Sequence, residues 1–344
     1  MGMRLDGIRS WAVWIAGVAA ISMIAIAGSP GAAEEKTYRM KITFPTLNDT
    51  LHQYAKNYAA VLERESGGRI KPELYPASQL GPIPRQIEAV QFGAAQCAII
   101  PPEFYSGIDE RFEVMAAPGL VTSMEHGQRL AADPEVLKLM LGLGANKGLH
   151  GAALWMAIPN SLIAKRPVRR LADLKGRKIR IFTSDFQSQA LERLGASPVA
   201  MTLGDVLPAI HQGTIDGAIA GLTVFTTMKY QDAAKYVTEI GQPAIFIITE
   251  ISKKWHDSLP PDLQRMIDTH AASEAKAINS FAIDFNNNAR KVWTDAGGEL
   301  IALPAEEQAA MISTIKSVGD DVSKKRPALA AAYGIVAEAA KRTQ

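Results

Sequence analysis

The chain has a single cysteine, Cys97, in 344 residues, so no intramolecular disulfide can form and packing alone must hold the fold. Cys97 lies in the apolar run Cys97-Ala98-Ile99-Ile100 and reads as a core residue. Net charge is nearly absent as well: 37 basic residues against 35 acidic ones leave +2. That balance excludes the basic footprint of a nucleic-acid binder and gives no general attraction to anionic membranes. Catalytic signatures are missing too. The six histidines, His52, His126, His150, His211, His256 and His270, are scattered, with no His-Glu-x-x-His pair, and there is no Gly-x-Ser-x-Gly elbow. Gly142-Leu143-Gly144 lacks the third glycine of a dinucleotide loop. Each histidine reads as a surface or capped residue, so no metal, no cofactor and no enzymatic role are expected.

Long apolar stretches are confined to the beginning of the chain. Arg4 and Arg9 precede the run Trp11 to Ala27, and Ser29-Pro30-Gly31-Ala32-Ala33 follows it with small residues. This is the pattern of an export signal over residues 1–33, cut after Ala33. The run is short for a membrane span of about 20 residues, and no cysteine stands at the cut to carry a lipid. The remainder is expected outside the cytoplasm, with enough residues for two lobes of about 100–200 each.

Beyond Ala33, strand and helix patterns alternate. Tyr38, Met40, Ile42 and Phe44 recur at period two, which reads as a strand. Leu51, Tyr54, Ala55, Tyr58, Ala59 and Leu62 recur at helical spacing, and Gly67-Gly68 supplies a stop. Ile70 to Tyr75 reads as a second strand that Pro72 confines to an edge or an irregular ladder. A short helix ending near Phe92 and a buried strand over Cys97 to Ile100 complete the unit. The order returns as a strand at Lys178 to Phe182, a helix at Phe186 to Leu194, a strand at Pro198 to Met201 and a helix at Asp205 to Gln212. Local sequence repeats with it: Ala89-Val90-Gln91-Phe92-Gly93, four residues, then Ala98-Ile99, matches Ala209-Ile210-His211-Gln212-Gly213, four residues, then Ala218-Ile219. Two such units predict an α/β protein of two similar lobes, with a ligand cleft near the carboxyl ends of the strands.

Leu174-Lys175-Gly176-Arg177-Lys178-Ile179-Arg180-Ile181, then Leu194-Gly195-Ala196-Ser197-Pro198-Val199 and Gly213-Thr214-Ile215-Asp216-Gly217, resembles the DctP-type substrate-binding proteins of TRAP transporters. Ser66-Gly67-Gly68-Arg69-Ile70 and Tyr75-Pro76-Ala77-Ser78-Gln79-Leu80-Gly81 fit the same family, and the resemblance runs from Tyr38 to about Ile267. It implies a periplasmic binding protein fold: two lobes, each a sheet flanked by helices, joined by crossing strands and by a long helix spanning both. Ile245 to Ile251 suits a crossing strand and Pro261 to Trp293 the spanning helix. The expected division is 34–156 with about 247–283 in lobe I, and 157–246 with about 284–344 in lobe II. The implied role is a periplasmic receptor that binds a small organic acid and delivers it to the subunits of a TRAP-type membrane permease, as monomer or dimer. A ligand sensor feeding a signalling system is the alternative.

The resemblance places Arg180 on the family's ligand carboxylate, for which a planar guanidinium fork is suited. Arg177, of opposite strand parity, is expected to face solvent. Asn160 falls where relatives carry another polar contact; its amide can donate to the ligand or cap a turn. Ala218-Ile219-Ala220-Gly221 replaces a polar stretch common in relatives, so that wall is apolar and a monocarboxylate with an apolar body is expected. Trp155, Phe182 and Phe225 are candidates to pack on that body or to fill the core. On lobe I, Asn48, in the turn after the first strand, and Glu103, after Ile100, stand at strand carboxyl ends; Asn48 can equally serve the turn or cap.

Overall fold

The computed structural model describes residues 36–344, so the proposed signal segment lies outside the described residues. The nine strands are β1 (Tyr38–Thr43), β2 (Ile70–Tyr75), β3 (Cys97–Ile100), β4 (Leu149–Ala164), β5 (Lys178–Ile181), β6 (Ser197–Ala200), β7 (Gly217–Ala220), β8 (Tyr236–Ser252) and β9 (Glu299–Ala302). The helices are α1 (Thr50–Glu65), α2 (Ile83–Gln91), α3 (Met124–Ala131), α4 (Pro134–Gly142), α5 (Asp185–Arg193), α6 (Leu203–Gln212) and α7 (Leu222–Thr227). They continue as α8 (Lys253–Asp257), α9 (Pro261–Asp295), α10 (Ala305–Ile315), α11 (Val318–Ser323) and α12 (Pro327–Arg342).

Local chemistry sets these boundaries. The Asp49 carboxylate accepts from the His52 backbone N–H and caps α1, satisfying one of the donors a helix start leaves unpaired. At the other end Gly67 and Gly68 take φ of 62° and 81°, where a side chain would be strained, and α1 stops. β2, with Pro72, pairs only with β1 and forms the sheet edge, where a missing donor is tolerated.

The strands run in the order β2-β1-β3-β8-β4-β7-β5-β6, with β9 beside β8. β1, β2 and β3 are parallel, as are β5, β6 and β7. β4 and β8 pair antiparallel along their whole length, from Leu149 opposite Ser252 to Ala164 opposite Tyr236. β3 joins the Ile248–Ile251 end of β8, and β7 joins the Ser161–Ala164 end of β4. Two half-sheets, each with its helices, therefore form two lobes bridged by a pair of long strands. The crossing element expected at Ile245 to Ile251 is one end of a 17-residue strand.

α9 lies along this bridge, touching α1 at one end and α7 and β9 at the other. Leu263, Ile267, Ala271, Ala275, Ile278, Ala282, Ala289 and Trp293 hold its buried face at helical spacing. Tyr54 and Tyr58 of α1 donate to the Ala271 and Ile267 carbonyls, both at 3.1 Å, and fix the helix to the first lobe. α12 packs on α3 and α4, with Arg342 paired to Asp133 at 2.6 Å, and Tyr333 of α12 meets Phe186 of α5. Cys97 is fully buried, and burial pushes its thiol up.

Candidate functional site

A narrow cavity of about 50 Å³ lies where the two half-sheets face each other. Pro45, Thr46, Asp49, Thr50, Leu51, Ile83, Pro101 and Phe104 line it from the first lobe. Arg180, Phe182, Leu203, Ala220, Gly221, Thr223 and Val224 line it from the second, and the crossing strands add Ala157, Ile158, Ile245 and Ile247. Most of the wall is hydrocarbon.

Arg180 sits in β5 and is 1% exposed. Its Nε donates to the Met201 carbonyl at 2.9 Å and Nη1 to the Ile219 carbonyl at 3.0 Å, which aim the guanidinium from behind. Cζ lies 4.6 Å from the centre of the Phe182 ring, a cation–π contact. Phe182 in turn stacks on Phe104 of the opposite lobe, centroids 5.4 Å apart. Among the described residues Arg180 has no carboxylate within ion-pair distance. Burial pushes it down to about 10, against the pull of Tyr230 and Glu103, so it remains charged at neutral pH. A buried cation without a counter-ion costs several kcal/mol.

Glu103 explains why no internal acid takes that place. It is buried in a short 3-10 turn, residues Pro102–Tyr105, after β3, with the Gln187 amide of α5 at 3.5 Å. Burial, reinforced by Glu113, pushes its carboxyl up to about 8 although Arg180 favours the charge, so it is mostly neutral at pH 7. Beside it the Asp185 backbone N–H donates to Glu113 at 2.8 Å, and Arg326 pairs with Glu110, Glu113 and Asp185. These contacts join the segment after β3 to α5 and so connect the two lobes.

Two hydroxyls facing the cavity, those of Thr46 and Thr50, are buried without a well-formed hydrogen bond; Thr46 comes near enough to Asp49 to favour its charge. Gly221 makes room for Ile158 here: a Cβ would lie 1.7 Å from Ile158 Cδ1, so that side chain would have to move.

Of the sequence candidates, Arg180 and Phe182 line the cavity and Glu103 stands just behind its wall. The others do not reach it. Asn160 donates to the Pro243 carbonyl across the bridge and lines a separate groove with Gln242 and Arg290. Trp155 stacks on Tyr54 at 5.0 Å, and Phe225 packs on Tyr230 at 5.4 Å, so both fill the core. Asn48 is exposed, at φ 55°, and its backbone N–H donates to His52 Nδ1, the turn role. Arg177 is half-buried and donates to the Arg166 and Pro167 carbonyls instead of facing solvent freely. Sequence reasoning missed Thr50, Asp49 and Thr223. The signal was available for the first two, since a cap that opens a helix directly after a strand's carboxyl end must face the cleft.

A two-lobed α/β fold with a buried cleft between strand ends defines a solute-binding protein. The chain belongs to the bacterial extracellular solute-binding protein family 7, DctP, whose profile matches residues 43–325. It is 27% identical over 276 residues to the C4-dicarboxylate-binding periplasmic protein DctP of Rhodobacter capsulatus, covering 79% of this chain and 82% of that one. To the 2,3-diketo-L-gulonate-binding periplasmic protein YiaO of Escherichia coli it is 25% identical over 325 residues, 93% and 88% of the two chains. Its fold matches a TRAP periplasmic solute-binding protein of Desulfovibrio salexigens, solved with orotic acid, at a TM-score of 0.85 and 21% identity, covering 90% and 100%. No helix among the described residues is long and apolar enough to cross a membrane.

Proposed function

We propose that this protein is a periplasmic receptor that closes its two lobes around a small organic monocarboxylate with an apolar body and delivers it to a TRAP-type permease. The observation that carries the reading is the buried Arg180 without an internal counter-ion. Its Nε and one Nη1 hydrogen are spent on carbonyls, leaving Nη2 and the other Nη1 hydrogen for a carboxylate. The neutral Glu103 leaves the ligand's acid group uncontested. Thr46, Thr50 and Thr223 offer hydroxyls for a second polar group, while Phe182, Phe104, Leu51, Ile158 and Val224 suit a hydrocarbon or aromatic body. Among the described residues only one cationic side chain lines this cavity, which disfavours a second carboxylate. The relatives named as binding C4-dicarboxylates or 2,3-diketo-L-gulonate support an acid ligand as a class.

Contacts from both lobes make closure a matter of differential affinity: the ligand binds the closed state better and shifts the population toward it. Calorimetric titration with a panel of mono- and dicarboxylates tests this. Aromatic or branched monocarboxylates bind, and Arg180→Ala loses about tenfold to hundredfold in affinity, the worth of a charge-assisted hydrogen bond. Undiminished affinity in a folded Arg180→Ala protein would sink the assignment.

A further inference from the structure

Far from the cleft, at the outer end of the first lobe, three residues distant in sequence meet. His150 opens β4, His256 lies in α8 and Asp268 in α9. His150 Nε2 is 2.8 Å from Asp268 Oδ1, and His256 Nε2 is 3.3 Å from the same oxygen. One ligating atom from each of the three residues lies within 4.8 Å of the others. We propose that His150, His256 and Asp268 form a binding site for a divalent transition-metal ion, with zinc the ion their donors suit.

Spacing supports this first. A tetrahedral zinc ion with bonds of about 2.0–2.1 Å has ligand atoms about 3.3 Å apart along each edge; the two histidine-to-aspartate separations, 2.8 and 3.3 Å, are near that edge, and the two imidazoles offer nitrogens within 4.8 Å of each other. Donor chemistry supports it next: two imidazole nitrogens and one carboxylate oxygen favour zinc and its neighbours over magnesium or calcium, which take oxygen. His256 supplies a further sign. Its side chain is 7% exposed, and its Nε2 is buried without a well-formed hydrogen bond, 3.3 Å from the Asp268 oxygen. A neutral imidazole protonated on Nδ1 presents a lone pair at that Nε2, and a metal ion satisfies it. Asp257, held by Lys253 at 2.7 Å, places Oδ1 3.8 Å from His256 Nδ1 and can orient that ring from behind.

The rings now stack, with centroids 4.0 Å apart and planes 21° apart. Both lone pairs converge on one ion only when the imidazoles turn about their Cβ–Cγ bonds out of this stack. His150 and Asp268 are 30% and 42% exposed, which gives the ion an entry and a water the fourth position. The chain from His150 to the cavity-lining Ala157 spans roughly 20 Å of strand, so the site is separate from the cleft. A bound ion would tie α8 and the first turns of α9 to the sheet and stabilise the native state by mass action.

The test uses untagged protein stripped with chelator and titrated with zinc sulfate against a chromophoric competitor. One zinc per chain and a raised Tm are expected, with no response to magnesium. His150→Gln, His256→Gln and Asp268→Asn each lose at least about tenfold in zinc affinity, whereas the exposed His211→Gln is unchanged. Cobalt(II) gives the visible bands of a tetrahedral nitrogen–oxygen site in the parent alone. Circular dichroism and retained carboxylate binding show that the variants fold; the His150→Gln, His256→Gln double variant with surviving histidines elsewhere controls for surface zinc. Absence of saturable zinc binding by the parent, or equal binding by the double variant, would overturn the proposal.

Discussion

The two repeated units place different residues at the same structural position. In the first lobe Ile42 pairs with Cys97 and Thr43 with Ala98; in the second Ile179 pairs with Gly217 and Arg180 with Ala218. Thr43 thus corresponds to Arg180. Thr43 is fully buried, and its hydroxyl donates to Gln86 Oε1 at 2.9 Å, while the Gln86 amide goes on to Ser78 and the Gly81 carbonyl. Every polar group in that network is answered inside the lobe. Arg180 is equally buried, yet among the described residues its charge meets carbonyl dipoles and an aromatic face and forms no ion pair. One unit closes on itself and the other is left to be completed by a ligand. A repeat can therefore keep its fold while assigning stability to one copy and recognition to the other.

Exchanging the demands on these two positions should separate stability from binding. The largest effect is expected at Arg180: Arg180→Ala weakens carboxylate binding about a hundredfold and Arg180→Lys about tenfold, because an ammonium loses the bidentate fork. Arg180→Met, which removes a desolvated charge and keeps volume, leaves the Tm of the empty protein unchanged or higher. Calorimetry and thermal melting read both. Gly221→Ala comes next. Its methyl forces Ile158 to move, costing about 1–3 kcal/mol in chemical denaturation and displacing a cavity wall, so stability and affinity fall together. Thr43→Val should do the opposite of Arg180→Ala, costing about 1–2 kcal/mol of stability by leaving Gln86 Oε1 unanswered while ligand affinity stays within twofold.

The last prediction concerns pH and leaves the ligand aside. Burial holds Glu103 up to about 8, above its unfolded value near 4.5, so the stability it contributes is complete below 4.5 and lost as pH rises through 8. Glu250, fully buried in β8, is raised for the same reason and adds to the trend. Glu103→Gln should flatten the decline in Tm between pH 5 and 8 in part. An unchanged slope would show that the Glu103 carboxyl does not take up a proton in the folded cleft.

Much of this was legible in the residues. β2 and β3 fall at Ile70–Tyr75 and Cys97–Ile100, as expected, because edge proline and apolar runs are local signals. The repeat extends to backbone geometry: Gly93 and Gly213 both take positive φ at the ends of α2 and α6. The length of β4 was not legible, since Leu149–Ala164 is buried on both faces and shows no alternation for a period of two to reveal. The same opacity left the roles of Trp155 and Asn160 open, since both lie within that strand. Without its pairing register with β8, which carries irregularities at Gly151/Ala153, Met156/Ile158 and Pro159/Ser161, no count along the sequence says which residues face the cleft. Arg180 was readable because its motif fixes it beside a strand end. The meeting of His150, His256 and Asp268 was hidden by separation in sequence alone.

The central claim is that Arg180 holds a ligand's carboxylate in the closed cleft. It is tested most directly by denaturing purified protein spanning residues 34–344, alongside Arg180→Ala, and identifying any released small molecules by mass spectrometry. An organic monocarboxylate that travels with the parent and is absent from the variant is the predicted result. The same acid released in equal amount from both proteins would contradict the account.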